Sequence, residues 1–366
     1  MSTATLRLPF QRIRCYYQPM ILTTVGLIIL GTFWFVSRYP QLLAKAEHLG
    51  KALPTMAYSS ELFVVTADTP VLQTIVFSAV NWLNSMKIGM TFGVLFGALL
   101  HTVLRHYPLK IGRNLYLNSL KGALVGAPMG VCANCAVPAA CGVTRGHGRV
   151  EVALGFLFSS PNFNPVVMTM TFTALPLAMG LTKYAILLTV ILFVVPAVIG
   201  WLERKKPLDT LTFGEDLSAC EIPLKSADCT KSFGEVFKDF VWDYGKHVWM
   251  LLKPTIAIML FASVVAAAML ILIPWNEFLS EANPWRFALA SLISVFMPVP
   301  IALDVMFAFQ LQQQGIANGY VMMFLLTLGT YSIVPTIYLW REVSKALSVI
   351  LFAFFMVSGW VMGLIF

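Results

Sequence analysis

The chain has 366 residues, of which 58% are hydrophobic and only 11% charged, with a formal net charge of +8. Soluble domains carry about 25% charged residues, so a freely soluble globular fold is excluded and the composition is that of a polytopic membrane protein. The basic excess does not require nucleic acid, because Lys and Arg collect in cytoplasmic loops and set orientation. No aromatic–basic interleaving suited to RNA and no phosphate-cradling GxxxxGK[ST] motif occurs.

Residues 1–18 carry Arg7, Arg12 and Arg14 and no acid, which places the N-terminus in the cytoplasm. A first helix is predicted over 19–36; no small-x-small cleavage site follows it, so it is read as retained rather than as a signal peptide. Residues 37–83 are roughly charge-balanced, with Arg38, Lys45 and Lys51 against Glu47, Glu61 and Asp68. They are expected outside, as one or two short amphipathic helices capping the bundle. A second span over 85–104 returns to the cytoplasm, where Arg105, Lys110, Arg113 and Lys121 follow without an acid. Gly93 and Gly97, four apart in that span, read as a seat for another helix of the same chain.

The next stretch, 126–165, breaks the rules for a lipid-facing helix, since it holds four prolines, three cysteines and three asparagines. Helix breakers and polar groups at membrane depth are tolerated only where the backbone is buried in protein or lines a cavity, and such interruptions point to a transporter's binding site. Residues 119–144 are long enough for one span, but a full crossing would put the basic loop with Arg145 and Arg149 outside. A re-entrant hairpin keeps those charges inside and sets Cys132 and Cys135 near its tip. Arg145, His147, Arg149 and Glu151 are expected in a solvated loop.

Spans over 150–179, interrupted from Ser159 to Pro165, and 183–202 follow. Residues 203–245, rich in both charges and holding Cys220 and Cys229, form a cytoplasmic linker. After a span over 246–273, the loop 274–283 carries Glu277 and Glu281 without a base, as expected outside. A second interrupted segment, 284–315, holds Pro298, Pro300 and Asp304. The last spans are 320–339 and 343–366. The run 156–167 can be set against 324–337, each after a glycine-containing turn that follows a proline-broken segment. The expected fold is therefore all-α, with about seven transmembrane helices and two re-entrant hairpins in two inverted-topology repeats. Its parts are an N-terminal helix and extracytoplasmic segment (1–83), a first repeat (84–202), the linker (203–245) and a second repeat (246–366).

Thiolates are soft ligands that select Cu(I), Zn and other thiophilic centres such as trivalent arsenic. Cys132 and Cys135, with Asn134 between them, are the candidate solute and metal ligands, and Cys141 is a third candidate if the chain folds back. The alternative is that these are small packing hydrophobes. Ser160, Pro161, Asn162 and Asn164 form a second candidate group, in which broken-helix N–H groups and amides meet the solute or merely repair backbone bonds. Pro298, Thr330, Tyr331 and Ser332 are their counterparts in the second half. Asp304 is an acid set well inside an apolar stretch, so it is either a proton-coupling carboxylate or half of an ion pair. No catalytic motif is found and no cofactor is expected. Membrane lipid and a small-molecule or metal(loid) solute are the expected partners, and no nucleic acid. Three rivals remain, a membrane thiol-disulfide oxidoreductase using the CxxC, a non-transporting membrane receptor or assembly subunit, and an importer of a sulfur oxyanion.

Around these residues the chain resembles the predicted-permease family that includes the ArsP-type organoarsenical efflux permeases. The likeness rests on Cys132, Cys135, Pro138 and Gly142, then Gly148, then Ala153, Phe156, Leu157, Pro161 and Pro165. It implies a bacterial inner-membrane permease exporting a trivalent arsenical or a soft metal, with Cys132 and Cys135 as ligands. The chain departs from the family pattern in reading C-A-N-C-A where members often show C-x-C-G. Its second half offers Met297, Pro298 and Asp304 instead of a cysteine.

Overall fold

The computed structural model describes residues 16–47, 62–66, 68–107, 112–146, 148–205 and 231–366. The basic residues Arg7, Arg12 and Arg14, as well as His147, Cys220 and Cys229, lie outside them. Every element among the described residues is helical, as a chain that must satisfy its backbone within lipid requires. The helices are α1 (Tyr17–Gly31, wound on through Thr32–Arg38), α2 (Tyr39–Glu47), α3 (Val71–His106), α4 (Leu115–Gly126), α5 (Ala133–Arg145), α6 (Val150–Asn162), α7 (Pro165–Ala174) and α8 (Leu177–Thr189). After them come α9 (Val195–Lys205), α10 (Phe233–Leu272), α11 (Trp275–Phe278), α12 (Pro284–Phe296), α13 (Leu303–Gln313), α14 (Asn318–Thr327), α15 (Ile333–Glu342) and α16 (Lys345–Ile365).

Among the described residues, five helices are long and apolar enough to cross a membrane: Tyr17–Ala44, Val71–His106, Leu177–Lys205, Phe233–Leu272 and Lys345–Ile365. The two other expected spans, 150–179 and 320–339, are instead pairs of short helices, α6 with α7 and α14 with α15. Three boundaries differ from expectation. The first helix runs on into 37–47 and buries Arg38. The second begins at Val71, because nothing between Pro70 and Tyr107 interrupts it. The fifth begins inside the expected linker, where Ser232 and Glu235 form a capping box that satisfies the first free N–H groups.

The first hairpin is α4, a tight turn over Ala127–Met129 and α5. Asn114 starts α4 by accepting from the amides of Tyr116 and Leu117. Gly130 closes the turn at φ 59°, a left-handed conformation that glycine adopts without steric cost. The hairpin packs through glycines. Gly93 and Gly97 of α3 face Cys135, Pro138 and Ala139 of α5, while Gly122 and Gly126 of α4 face Val152 and Phe156 of α6. These approaches, with Asn118 Nδ2 donating to Glu151 Oε1 and the Val131 amide to Ser160 Oγ, show α4 running parallel to α6. In the second half α12 runs parallel to α14, with the Phe287 and Tyr320 rings 4.6 Å apart and Ser294 hydrogen-bonded to Thr327 at 2.7 Å. The pair α14 and α15 runs antiparallel to α16, from Gly319 beside Gly363 to Ser348 Oγ donating to the Thr336 carbonyl.

A Cβ on Gly97 would overlap the Pro138 carbonyl and press within 2.7 Å of its carbon. Both atoms are backbone and cannot swing aside, so Gly97→Ala is expected to destabilise the protein by about 1–3 kcal/mol. A lowered melting temperature in detergent checks this, with Gly112→Ala, where nothing lies within 4 Å, as the control.

Candidate functional site

The helix breaks converge. Asn134, in the first turn of α5, donates from Nδ2 to the Val299 carbonyl, in the break between α12 and α13, at 3.3 Å. Its Oδ1 accepts from Ser332 Oγ at 2.6 Å. Asn162, at the end of α6, accepts from Thr330 Oγ1 at 3.4 Å and turns its own Nδ2 to the Phe158 carbonyl. Trp82 of α3 donates to the Pro298 carbonyl at 2.9 Å. Pro298 removes one amide from that break, and the carbonyls around it are met by side chains of the other half. Ala302 ends the break at φ 65°, a strained conformation for a non-glycine residue and the first cap of α13. All of these polar residues are buried, where a polar group without a partner costs about 1–3 kcal/mol.

Cys132 and Cys135 lie on one side of this junction. Cys132 is the cap residue of α5, its Sγ accepting from the Cys135 amide at 3.3 Å. Both cysteines are buried and not disulfide-bonded. Met86 of α3 brings a third sulfur, its Sδ 3.8 Å from Cys132 Sγ and 4.0 Å from Cys135 Sγ. Arg38 reaches in from the end of the first helix. Its guanidinium carbon stands 4.9 Å from the Phe33 ring, it is 6% exposed, and its Nε has no hydrogen-bond partner among the described residues. A Cβ on Gly89 would stand 2.8 Å from Cys135 Sγ and 3.1 Å from Arg38 Nη2. The sulfur and the guanidinium are therefore within about 6 Å, a range where a charge acts strongly on its neighbour.

Asn164 caps α7, its Oδ1 accepting from the Val166 amide. Its Nδ2 is buried with no hydrogen-bond partner among the described residues and faces Gly130, whose Cβ position is 2.7 Å away. Ser160 holds the same turn through the Val131 amide, and Pro161 lies in the last turn of α6. Cys141 does not join the pair. The chain is helical throughout Ala133–Arg145, so Cys141 lies about 9 Å further along the axis, beside Thr144 and Arg145. Tyr331 is packed against Phe158 and Phe355.

Asp304 is paired. Lys183 of α8 donates to its carboxylate at 2.6 Å, and both side chains are almost wholly buried. Gly329 lies flat against that carboxylate, where a Cβ would fall 2.6 Å from Cγ. Of the residues expected in a solvated loop, Arg145, Arg149 and Glu151 are paired instead. Arg145 makes a two-pronged bond to Glu342 at 2.7 and 2.8 Å, and Arg149 bridges buried Glu151 and Glu203. Four groups at or near the site escaped the sequence reading: Arg38, Met86, Trp82 and Lys183. Arg38 was masked by the acids nearby in sequence. Lys183 carried a usable signal, a base between apolar runs.

Comparison with known proteins follows the same direction. A family model described as a predicted permease, of the ArsP type, matches residues 90–366. The chain is 23% identical over 346 residues to the UPF0718 protein YraQ of Escherichia coli (strain K12), covering 92% of each chain. No solved structure matches.

Proposed function

The chain belongs to the predicted-permease family, and on that footing we propose that it moves a small thiophilic solute, a trivalent arsenical or a soft metal species, across the bacterial inner membrane. The observation that carries this reading is the placement of two buried thiols where four helix breaks meet. The solute is held by Cys132 and Cys135 beside the Asn162–Asn164 break and the carbonyls around Pro298. The mechanism is alternating access between 84–202 and 246–366, read as inverted repeats with the N-terminus in the cytoplasm. That reading is supported by direction. The helices α4 and α6 run away from the end marked by the Arg145–Glu342 pair, whereas α12 and α14 run toward it. Efflux follows from the resemblance to arsenical exporters. Asp304, held by Lys183, is the proton-coupling carboxylate.

Thiol exchange with a partner protein needs an accessible sulfur, and both sulfurs are buried, which disfavours the oxidoreductase. Buried Arg38 supports one second reading, import of a sulfur oxyanion. Sealed vesicles carrying the full chain, offered methylarsenite, arsenite, zinc, Cu(I) or thiosulfate, are expected to accumulate one thiophilic species above chain-free vesicles. Accumulation of thiosulfate alone would favour the oxyanion importer, and accumulation of none would overturn the alternating-access permease.

A further inference from the structure

The cysteine pair is short of ligands by itself. Among the described residues no histidine, carboxylate or third cysteine joins it to make a metal-holding group. What does join it is the thioether of Met86, at 3.8 and 4.0 Å from the two thiol sulfurs. A d10 ion bonds thiolate sulfur at about 2.3 Å, and three sulfurs placed evenly around such an ion stand about 4.0 Å apart. Two edges of such a three-coordinate site, from Met86 to each thiol sulfur, are already at that spacing. Thiolate and thioether are soft ligands that suit Cu(I).

Charge narrows the solute further. A monovalent ion M⁺ binding two thiols releases two protons to water and leaves an [M(S-Cys)2] centre of charge −1; the Met86 thioether adds none. Arg38 supplies +1 within about 6 Å, so the filled site is neutral. A divalent ion leaves the same site at +1. A trivalent arsenical R–As(OH)2 exchanges both hydroxyls for thiolates, releases two waters and forms a neutral adduct, again leaving Arg38 uncompensated. Uncompensated buried charge is costly, and among the described residues no carboxylate bridges to Arg38.

We propose that the Cys132–Cys135 site takes its solute as a monovalent soft cation, Cu(I) or its analogue Ag(I), with Met86 as third ligand and Arg38 as counter-charge. This rests on the reading of the two cysteines as solute ligands. The test uses the full chain in detergent, without oxygen, titrated with Cu(I) against a chromogenic chelator and examined by X-ray absorption at the copper edge. The native chain is expected to bind one Cu(I) with three sulfurs at about 2.3 Å. Met86→Leu should bind it at least about tenfold more weakly and with two sulfurs, and Met86→Cys should restore the third. Arg38→Gln should keep three sulfurs, weaken Cu(I) by about tenfold or more and leave methylarsenite binding unchanged.

Unaltered affinity and sulfur count in Met86→Leu, or tighter cysteine-dependent binding of zinc or methylarsenite than of Cu(I), would overturn the proposal and leave the thiophilic reading standing. Binding that survives Cys132→Ser/Cys135→Ser would overturn both.

Discussion

Cys132→Ser/Cys135→Ser is expected to lower solute flux in sealed vesicles by at least about a hundredfold, the upper range for losing groups that support a metal centre, while the protein stays folded. The two halves of this expectation have separate causes. Serine is close to cysteine in size, so the contacts of α5 with Gly89 and Gly93 are kept. A hydroxyl also caps a helix at least as well as a thiol, so the amide bond made by Cys132 Sγ is replaced. Only softness is lost, and with it affinity for thiophilic centres. Flux that persists in the folded double variant would move the solute to the Asn162–Asn164 break.

The second large effect is at the Lys183–Asp304 pair. Lys183→Met is expected to destabilise the protein by about 3–5 kcal/mol, because it leaves Asp304 buried against Gly329 without its cation. The double variant Lys183→Met/Asp304→Leu should recover most of that loss, since exchanging a buried ion pair for apolar groups is often neutral. Thermal unfolding in detergent separates the cases, and equal losses in single and double variants would show that the pair is not what holds this region. Transport reads differently. If Asp304 carries the coupling proton, Asp304→Asn removes the dependence of flux on a pH gradient. Flux that keeps its full dependence in that variant rules out the coupling role.

Much of this architecture was legible in the sequence because membrane chains write it in composition and charge. The all-helical fold followed from hydropathy. The hairpin came from the conflict between the prolines of 128–138 and the basic loop at Arg145 and Arg149. Asn134, Asn162, Thr330, Ser332 and Pro298 were singled out because polar and breaking residues at membrane depth need a reason, and the structure brings all of them to one junction. What was not legible is partnership. Met86 looks like any apolar residue of α3 until α5 is laid beside it. Arg38 reads as an interfacial charge because local sequence cannot show that the first helix carries it inward. Lys183 and Asp304 are 121 positions apart, and no local pattern announces such a pairing.

Cys132 Sγ serves two masters. It caps the start of α5 by accepting the Cys135 amide. In the proposed function it also holds the solute, and a bound sulfur keeps lone pairs with which to go on accepting that amide. On that reading the solute would sit against the first turn of α5, the turn that carries Asn134 and its bonds to Val299 and Ser332. The grip proposed for the cargo and the clasp between the two halves would then share one turn of backbone.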